Sequence, residues 1–306
     1  EYKITNLDEY LKSFAQIHEK ADITIRQFKT LAGKETRMSD VLELTEEIKR
    51  AIQDGAEGVV VVQGTNVMEE IAFALNILID TPIPIVCTGA MRTSTAPSAD
   101  GLANLIDAVG AAVSEKCRGL GTLVVFGGEI YSAEHVQKLH SQNCNAFHSE
   151  FMMGYMAEGV PSLRLVHIKR QLPEIKIVTE PKDVLLHSSY MDDSGKILDG
   201  IVDLGYAGLV IEGTGGGGLP QWIWTRILEI NKSIPVVLAA SVGHGDVIID
   251  TYGDGPGTGR YLAEHGIILS GQLDGKKARV LLTLLLMANS PREKIEAAFQ
   301  AFSRDW

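Results

Sequence analysis

An α/β fold is what this 306-residue sequence predicts, and three features predict it. Short apolar runs rich in β-branched residues, such as Val59–Val62, alternate with stretches whose apolar residues recur every three or four positions. Turns carrying glycine separate them, as at Gln63-Gly64 and Gly213–Gly218. The alternation lapses over 173–194 and then resumes. The chain therefore reads as a larger N-terminal parallel-sheet domain over 1–172, an interdomain passage over 173–194 and a smaller C-terminal α/β domain over 195–306.

The elements follow in order. Leu7, Tyr10, Leu11 and Phe14 are spaced for a short amphipathic helix, and Ile23–Phe28 reads as a strand. Gly33-Lys34-Glu35 is a polar loop before Ser39, a good N-cap for a helix striped by Val41, Leu44, Ile48 and Ile52 and ended by Gly55. Four valines at 59–62 suggest a strand buried on both faces. Glu69 and Glu70 then open a helix carrying Ile71, Leu75, Leu78 and Ile79. Pro84–Thr88 is another apolar strand, with Cys87 as a small core residue. A loop at Thr93–Ser98 leads to a helix that Ser98 can cap. Asp100 favours its positive end, and Leu102, Leu105, Ile106 and Val109 form its buried face. Thr122–Phe126 is a strand, Gly127-Gly128-Glu129 a turn, and Ser132–Leu139 irregular or briefly helical, with Glu134 and Lys138 at i, i+4.

Within 173–194, Ile175–Val178 and Val184–Leu186 read as short strands. The second domain shows a strand at Gly208–Ile211, a glycine loop at Gly213–Gly218, a helix at Gln221–Asn231 and a strand at Pro235–Ala239. A long polar loop over Val242–Arg260 follows, then a short strand at Gly266–Leu269 and closing helices at Lys277–Ala288 and Arg292–Phe302.

Composition narrows the function. A net charge of −11 and a pI near 5.2 repel nucleic-acid phosphates, so no nucleic-acid partner is expected. No signal peptide or long apolar span appears, so no membrane association is expected. Three cysteines without metal-type spacing suit a reducing, cytoplasmic setting. No HExxH or similar histidine spacing exists, so no metal is expected. Gly213–Gly218 fits GxGxxG between a strand and a helix. The acid that a dinucleotide site wants at the end of the next strand is absent from Ala239-Ala240-Ser241, which favours a tight turn over a cofactor loop. No cofactor is expected.

The chemistry centres on Gly64, Thr65 and Asn66. They form a strand-to-helix turn at the carboxyl end of a strand, where open α/β sheets bind ligands. Asn66 with Glu69 three residues on also reads as an N-cap with a capping-box partner, which needs no function. A hydroxyl nucleophile needs a base, and a neutral lysine serves; Lys138 follows the next-but-one strand and can reach the same edge.

Three segments together resemble the bacterial-type L-asparaginases. Gln63-Gly64-Thr65-Asn66-Val67-Met68-Glu69-Glu70 is similar to that family's HGTDTMEE motif, Gly89–Arg92 with Ser98–Leu105 to its GAMRxxxxxSADGxxNL segment, and Lys138 in SAEHVQKL to its lysine. The loop at Gly213 and the GKKARVLLTLLL helix look like its C-terminal domain. The resemblance implies hydrolysis of the side-chain amide of asparagine, often glutamine too, by a threonine nucleophile without a cofactor. It implies Thr65 and Lys138 as the activating threonine and lysine, and Ala90 with its backbone near the leaving amide. It also implies a homotetramer built of two close dimers, with the site at the dimer interface.

The chain departs from the family pattern in several places. The family's leading TGGTI strand, which bears the usual nucleophile, has no counterpart; 1–35 offers only ADITI. A nucleophile-bearing segment of roughly 20–30 residues, a strand plus a loop, is therefore expected outside this chain or supplied by another. Asn66 stands where the family has an aspartate that holds the substrate α-ammonium, and gives a hydrogen bond without the charge. Anchoring on Met38 puts Glu35 in place of a substrate-binding serine, with Lys34 beside it as a further substrate contact; a carboxylate there repels a substrate carboxylate. Glu134 stands where an arginine is usual. These changes point to the asparaginase machinery with either its ordinary substrate or an altered one, a neutral or cyclic amide. An inactive binding subunit is the alternative.

Overall fold

The computed structural model describes residues 15–29, 33–167, 169–170 and 172–303. The helix expected around Leu7–Phe14 lies outside them. The chain divides into two compact units, Glu1–Lys169 and Arg170–Trp306.

In the first unit helix α1 (Met38–Gln53) precedes strand β1 (Val59–Val62), helix α2 (Met68–Leu78), strand β2 (Ile85–Thr88), helix α3 (Gly101–Ala112) and strand β3 (Thr122–Phe126). β1, β2 and β3 are parallel neighbours, with Val62 opposite Thr88 and Cys87 opposite Val124. Helical crossovers place the strand-end turns side by side at one carboxyl edge. Ala108, Ala111 and Ala112 of α3 are small enough to sit against Val86, Leu123 and Val125 of the sheet.

The sheet then changes direction, which the expectation of a parallel sheet did not include. Gly127 and Gly128 have φ of 59° and 80°. Two positive-φ residues in a row make the tight turn that returns a strand antiparallel. So β4 (Glu129–Ser132) pairs back on β3, and β7 (Gly154–Ala157) and β8 (Val160–Leu163) extend the sheet antiparallel. The order is β1-β2-β3-β4-β7-β8. A separate two-stranded ladder joins β5 (Gln137–Lys138) to β6 (Phe147–His148). The stretch read as irregular or helical over Ser132–Leu139 is thus a strand end, a turn and a second strand.

Other local expectations shift. Ile23–Phe28 joins no ladder; Ile23 and Ile25 instead pack beside Ile17, Leu105 and Val109. Among the described residues β1 is a sheet edge, and Val62 is 41% exposed, so the four valines are not buried on both faces. Arg37, not Ser39, holds the N-cap of α1, and its N–H donates to Asp40 Oδ2 at 2.8 Å. Asp100, not Ser98, precedes α3.

The second unit is a four-stranded parallel sheet ordered β12-β11-β10-β9: β9 (Val184–Ser188), β10 (Gly208–Gly213), β11 (Val236–Ala240) and β12 (Ile268–Leu269). β9 contains the strand expected at Val184–Leu186 and pairs in parallel with β10. Ile175–Val178 forms no strand; the Val178 and Thr179 N–H groups both donate to Met287 O. Helix α4 (Gln221–Ile230) buries Ile223 and Ile227 against Leu209, Ile211 and Leu238. Helix α5 (Gly259–Glu264) begins within the expected loop, where Thr258 Oγ1 caps it by accepting from Tyr261 N. Helices α6 (Gly275–Met287) and α7 (Arg292–Gln300) close the unit. The glycine loop closes on itself: Thr214 N donates to Gly218 O and Gly218 N to Thr214 O. A Cβ on Gly213 would lie 2.4 Å from Gly217 C, and Gly217 has φ of 102°. That close approach accounts for the glycines as a turn. Among the described residues no helix is long and apolar enough to cross a membrane.

Candidate functional site

The turn after β1 carries Gly64, Thr65 and Asn66 to the carboxyl edge of the sheet. The capping alternative for Asn66 does not hold. α2 starts at Met68 with Val67 in the N-cap position, and Val67 makes no side-chain cap hydrogen bond. Glu69, which the capping box needed, is 2% exposed and turns elsewhere: its Oε2 accepts the Lys138 backbone N–H at 2.5 Å.

That bond is one of several contacts that place Lys138. The second is the ladder that sets Lys138 opposite Phe147. Phe147 is itself fixed, since its carbonyl accepts from the Tyr131 hydroxyl at 2.7 Å and its ring lies 4.9 Å from that of Phe126. Burial, and behind it a hydrogen bond to Glu129, pushes the Tyr131 phenol far up, so it stays a donor. A further contact joins it to the threonine turn: Lys138 Nζ donates to Thr65 Oγ1 at 2.7 Å. Thr65 is 8% exposed and Lys138 half-buried. Two residues far apart in the chain thus share one hydrogen bond at the sheet edge.

Asn66 and Lys138 line an open pocket of about 340 Å³ with Leu139, His140 and Ser141. His140 is ordered by its own loop, its Nδ1 accepting from the N–H groups of Gln142 and Asn143 at 3.0 and 2.9 Å. Lys34 and Glu35 are exposed on the turn Gly33–Glu35. That turn abuts the threonine turn, because a Cβ on Gly33 would lie 3.5 Å from Gly64 Cα and 3.6 Å from Asn66 Cβ. Of Gly64, Asn66, Lys34 and Glu35, only Asn66 lines the pocket; Lys34 and Glu35 follow Gly33 on the adjoining turn.

Ala90 stands on the neighbouring turn after β2, exposed and outside the pocket lining. The two turns are in contact, since a Cβ on Gly89 would come 2.2 Å from Gln63 O. Asp100 holds the Ala90 turn by accepting the Met91 and Arg92 N–H groups, each at 2.9 Å. Asn104, 3% exposed, donates to Gly89 O at 3.0 Å and accepts from Gly127 N at 3.0 Å, which ties the turns after β2 and β3 together. Sequence reading included Asp100 and Asn104 in a motif but not their work. Glu69 and Tyr131 were missed as supports of Lys138, because their partners are remote in sequence.

The arrangement offers a hydroxyl in contact with an amine close to the N-terminus of α2, whose first turn carries Glu69 and Glu70. Residues 1–165 match the family "Asparaginase, N-terminal", and residues 183–299 match the "Glutaminase/Asparaginase C-terminal domain". An L-asparaginase of Bacillus licheniformis is 32% identical over 283 residues, 90% of this chain and 86% of that protein. A probable L-asparaginase of Deinococcus radiodurans is 35% identical over 254 residues, 80% of this chain and 76% of that one. The solved structure of a probable cytoplasmic L-asparaginase from Campylobacter jejuni superposes with a TM-score of 0.87 at 32% identity, covering 96% of this chain and 94% of the other.

Proposed function

Because the chain belongs to the asparaginase family by its N-terminal and C-terminal domains alike, we propose that it is an asparaginase-like amidohydrolase with Thr65 and Lys138 as its activating pair. It converts L-asparagine, or a related small amide, to the acid and ammonia through a threonine nucleophile.

The observation that carries this reading is the 2.7 Å contact from Lys138 Nζ to Thr65 Oγ1. An amide carbonyl is a poor electrophile, so the attacking alcohol must be brought toward its alkoxide. Neutral Lys138 takes the Thr65 proton while Thr65 takes that of the attacking threonine, a separate residue, and the ammonium so formed delivers a proton to the departing nitrogen. The carbonyl oxygen gains charge as the tetrahedral intermediate forms. In this reading the backbone N–H groups of the Gly64 and Ala90 turns are the donors that receive it. Water then cleaves the acyl ester.

A second reading concerns the substrate. Asn66 lines the pocket where a carboxylate would attract an α-ammonium, and Glu35 lies exposed on the adjoining turn. Both weaken the hold on an α-amino-acid head, which favours a neutral or cyclic amide. The active assembly is a homo-oligomer, a dimer of dimers, to be checked by light scattering.

Ammonia release over asparagine, glutamine, cyclic imides and small neutral amides tests these readings. Lys138→Met is expected to lower kcat by about 10³-fold while substrate still binds. Full rate in that variant removes the lysine from the reaction. Efficient cleavage of asparagine alone ends the altered-substrate reading. No release from any amide leaves a binding subunit.

A further inference from the structure

A second cluster of reactive side chains lies away from the threonine–lysine contact. Glu134 and His135 sit on the turn that leaves β4, and His167 follows β8. One ligand atom from each of the three comes within 4.8 Å of the others. Glu134 Oε2 and His167 Nε2 are already 2.9 Å apart. The two imidazole rings meet edge to face, with centroids 5.1 Å apart at 85°.

We propose that Glu134, His135 and His167 form a site for one zinc-type divalent cation. Two imidazole nitrogens and one carboxylate oxygen are a donor set that suits zinc, with a fourth position left for water beside half-buried His135. Tetrahedral bonds of about 2.0–2.1 Å separate ligand atoms by about 3.3 Å. The cluster reaches that from its present spacing by opening the Glu134–His167 pair slightly and drawing His135 in.

The surroundings are built as supports. The Glu134 side chain is 1% exposed, and a carboxylate so buried calls for a cation or strong donors. Its Oε1 accepts from Asn76 Nδ2 at 3.2 Å, and Asn76 is oriented by the Thr122 N–H donating to its Oδ1 at 2.9 Å. Oε2 is thereby turned toward His167, as an outer partner orients a ligand. Ser132 holds the turn, its Oγ accepting Glu134 N at 3.2 Å and its carbonyl accepting His135 N and Val136 N. Phe151 packs against the His135 ring at 5.1 Å. Lys169 is the opposing charge. Its Nζ donates to Ile79 O at 2.7 Å.

The site has a use in the fold. Asn76 stands at the last turns of α2 and Glu69 in its first turn, about 10 Å apart along the helix. The segment from Glu134 to Lys138 spans the same length beside it, held by Asn76 at one end and Glu69 at the other. A cation on Glu134 would anchor the far end of the strand that delivers Lys138, without touching the reaction. Residues 134 and 135 are adjacent and His167 comes from another strand end, so no spacing rule reveals the trio. That is why the sequence led to an expectation of no metal.

Calorimetric titration of Zn²⁺ into untagged, EDTA-stripped protein tests this. One zinc per chain with Kd at or below about 1 µM is expected. Zinc at one hundredfold over Kd is expected to raise Tm by roughly 5 °C. Co²⁺ in its place is expected to show the intense visible band of a four-coordinate ion. Glu134→Gln, His167→Gln and His135→Ala are each expected to weaken binding at least about 30-fold, and His18→Gln on the surface to leave it unchanged. The half-buried His135 keeps the test alive if the Glu134 variant fails to fold. Wild-type binding weaker than about 100 µM, or zinc affinity retained in His135→Ala and His167→Gln, overturns the site and leaves a hydrogen-bonded histidine–glutamate pair.

Discussion

Replacing Asn104 with alanine tests how the candidate site is held together. Its amide joins two turns: Nδ2 donates to Gly89 O and Oδ1 accepts from Gly127 N, both at 3.0 Å. Truncation leaves the buried Gly89 carbonyl and the Gly127 N–H without that partner. A stranded buried polar group costs about 1–3 kcal/mol. Gly127 is near water and falls at the low end, so the sum is about 2–4 kcal/mol. The third contact, to Asp100 Oδ2 at 3.2 Å, adds little, because that carboxylate already accepts two backbone N–H groups. Urea unfolding followed by circular dichroism reads the loss as a midpoint lowered by roughly 1 M or more. Asn104→Asp separates the two bonds. It keeps an acceptor for Gly127 N, loses the donor to Gly89 O and sets a carboxylate against Asp100. Its deficit is expected to shrink below about pH 4, where protonation restores a donor. An Asn104→Ala variant within about 0.5 kcal/mol of the parent chain would refute the bridging argument, since that is the range of an inert surface change.

Other predictions follow from the same geometry. Gly89→Ala places a Cβ 2.2 Å from Gln63 O and is expected to cost several-fold in soluble yield and about 3 kcal/mol or more, whereas Gly255→Ala, with nothing within 4 Å, is expected to be neutral. Burial pushes the thiols of Cys87 and Cys117 up to about 12 and about 11; iodoacetamide at neutral pH is expected to label half-buried Cys144 in the native protein and those two only after unfolding, as read by peptide mass. Burial tends to raise the carboxyl of Asp193, but the Gly195 N–H and the His187 ring bonded to it hold it below its ordinary 3.8. Its stabilising contribution is therefore present above 3.8 and lost as pH falls through the lower folded value, so Asp193→Asn should flatten the acid limb of a stability–pH curve, and an unchanged limb would remove Asp193 from it.

What was legible in the sequence is what depends on near neighbours. The helices and parallel strands follow from apolar spacing and from runs such as Val59–Val62, which need only a few residues to be read. The antiparallel half of the first sheet was not legible, although its cause is two residues long. Gly127-Gly128 reads as a turn, yet the positive φ at both positions that sends the chain back along β3 is a property of the folded turn. Glu69 shows the same limit at the site. From its neighbours it is a capping partner for Asn66; in the fold it accepts the N–H of Lys138, sixty-nine positions on, and Val67 at the N-cap of α2 makes no side-chain cap hydrogen bond.

That exchange matters for the chemistry. A capped helix would have used the Asn66 side chain and filled the N-terminal field of α2 with its own oxygen. On the proposed mechanism Glu69 would seat Lys138 as the base beside Thr65 and set the charge around it. Glu69→Gln separates these roles, since its side-chain oxygen still accepts the Lys138 N–H but carries no charge. If seating alone matters, kcat stays within about threefold of the parent; if the carboxylate also shapes the field around Lys138, kcat falls by about tenfold or more and the pH profile of kcat moves. A Glu69→Ala variant with parental kcat and an unshifted profile would deny both roles. It would also leave the convergence of Thr65 and Lys138 to the β5–β6 ladder alone.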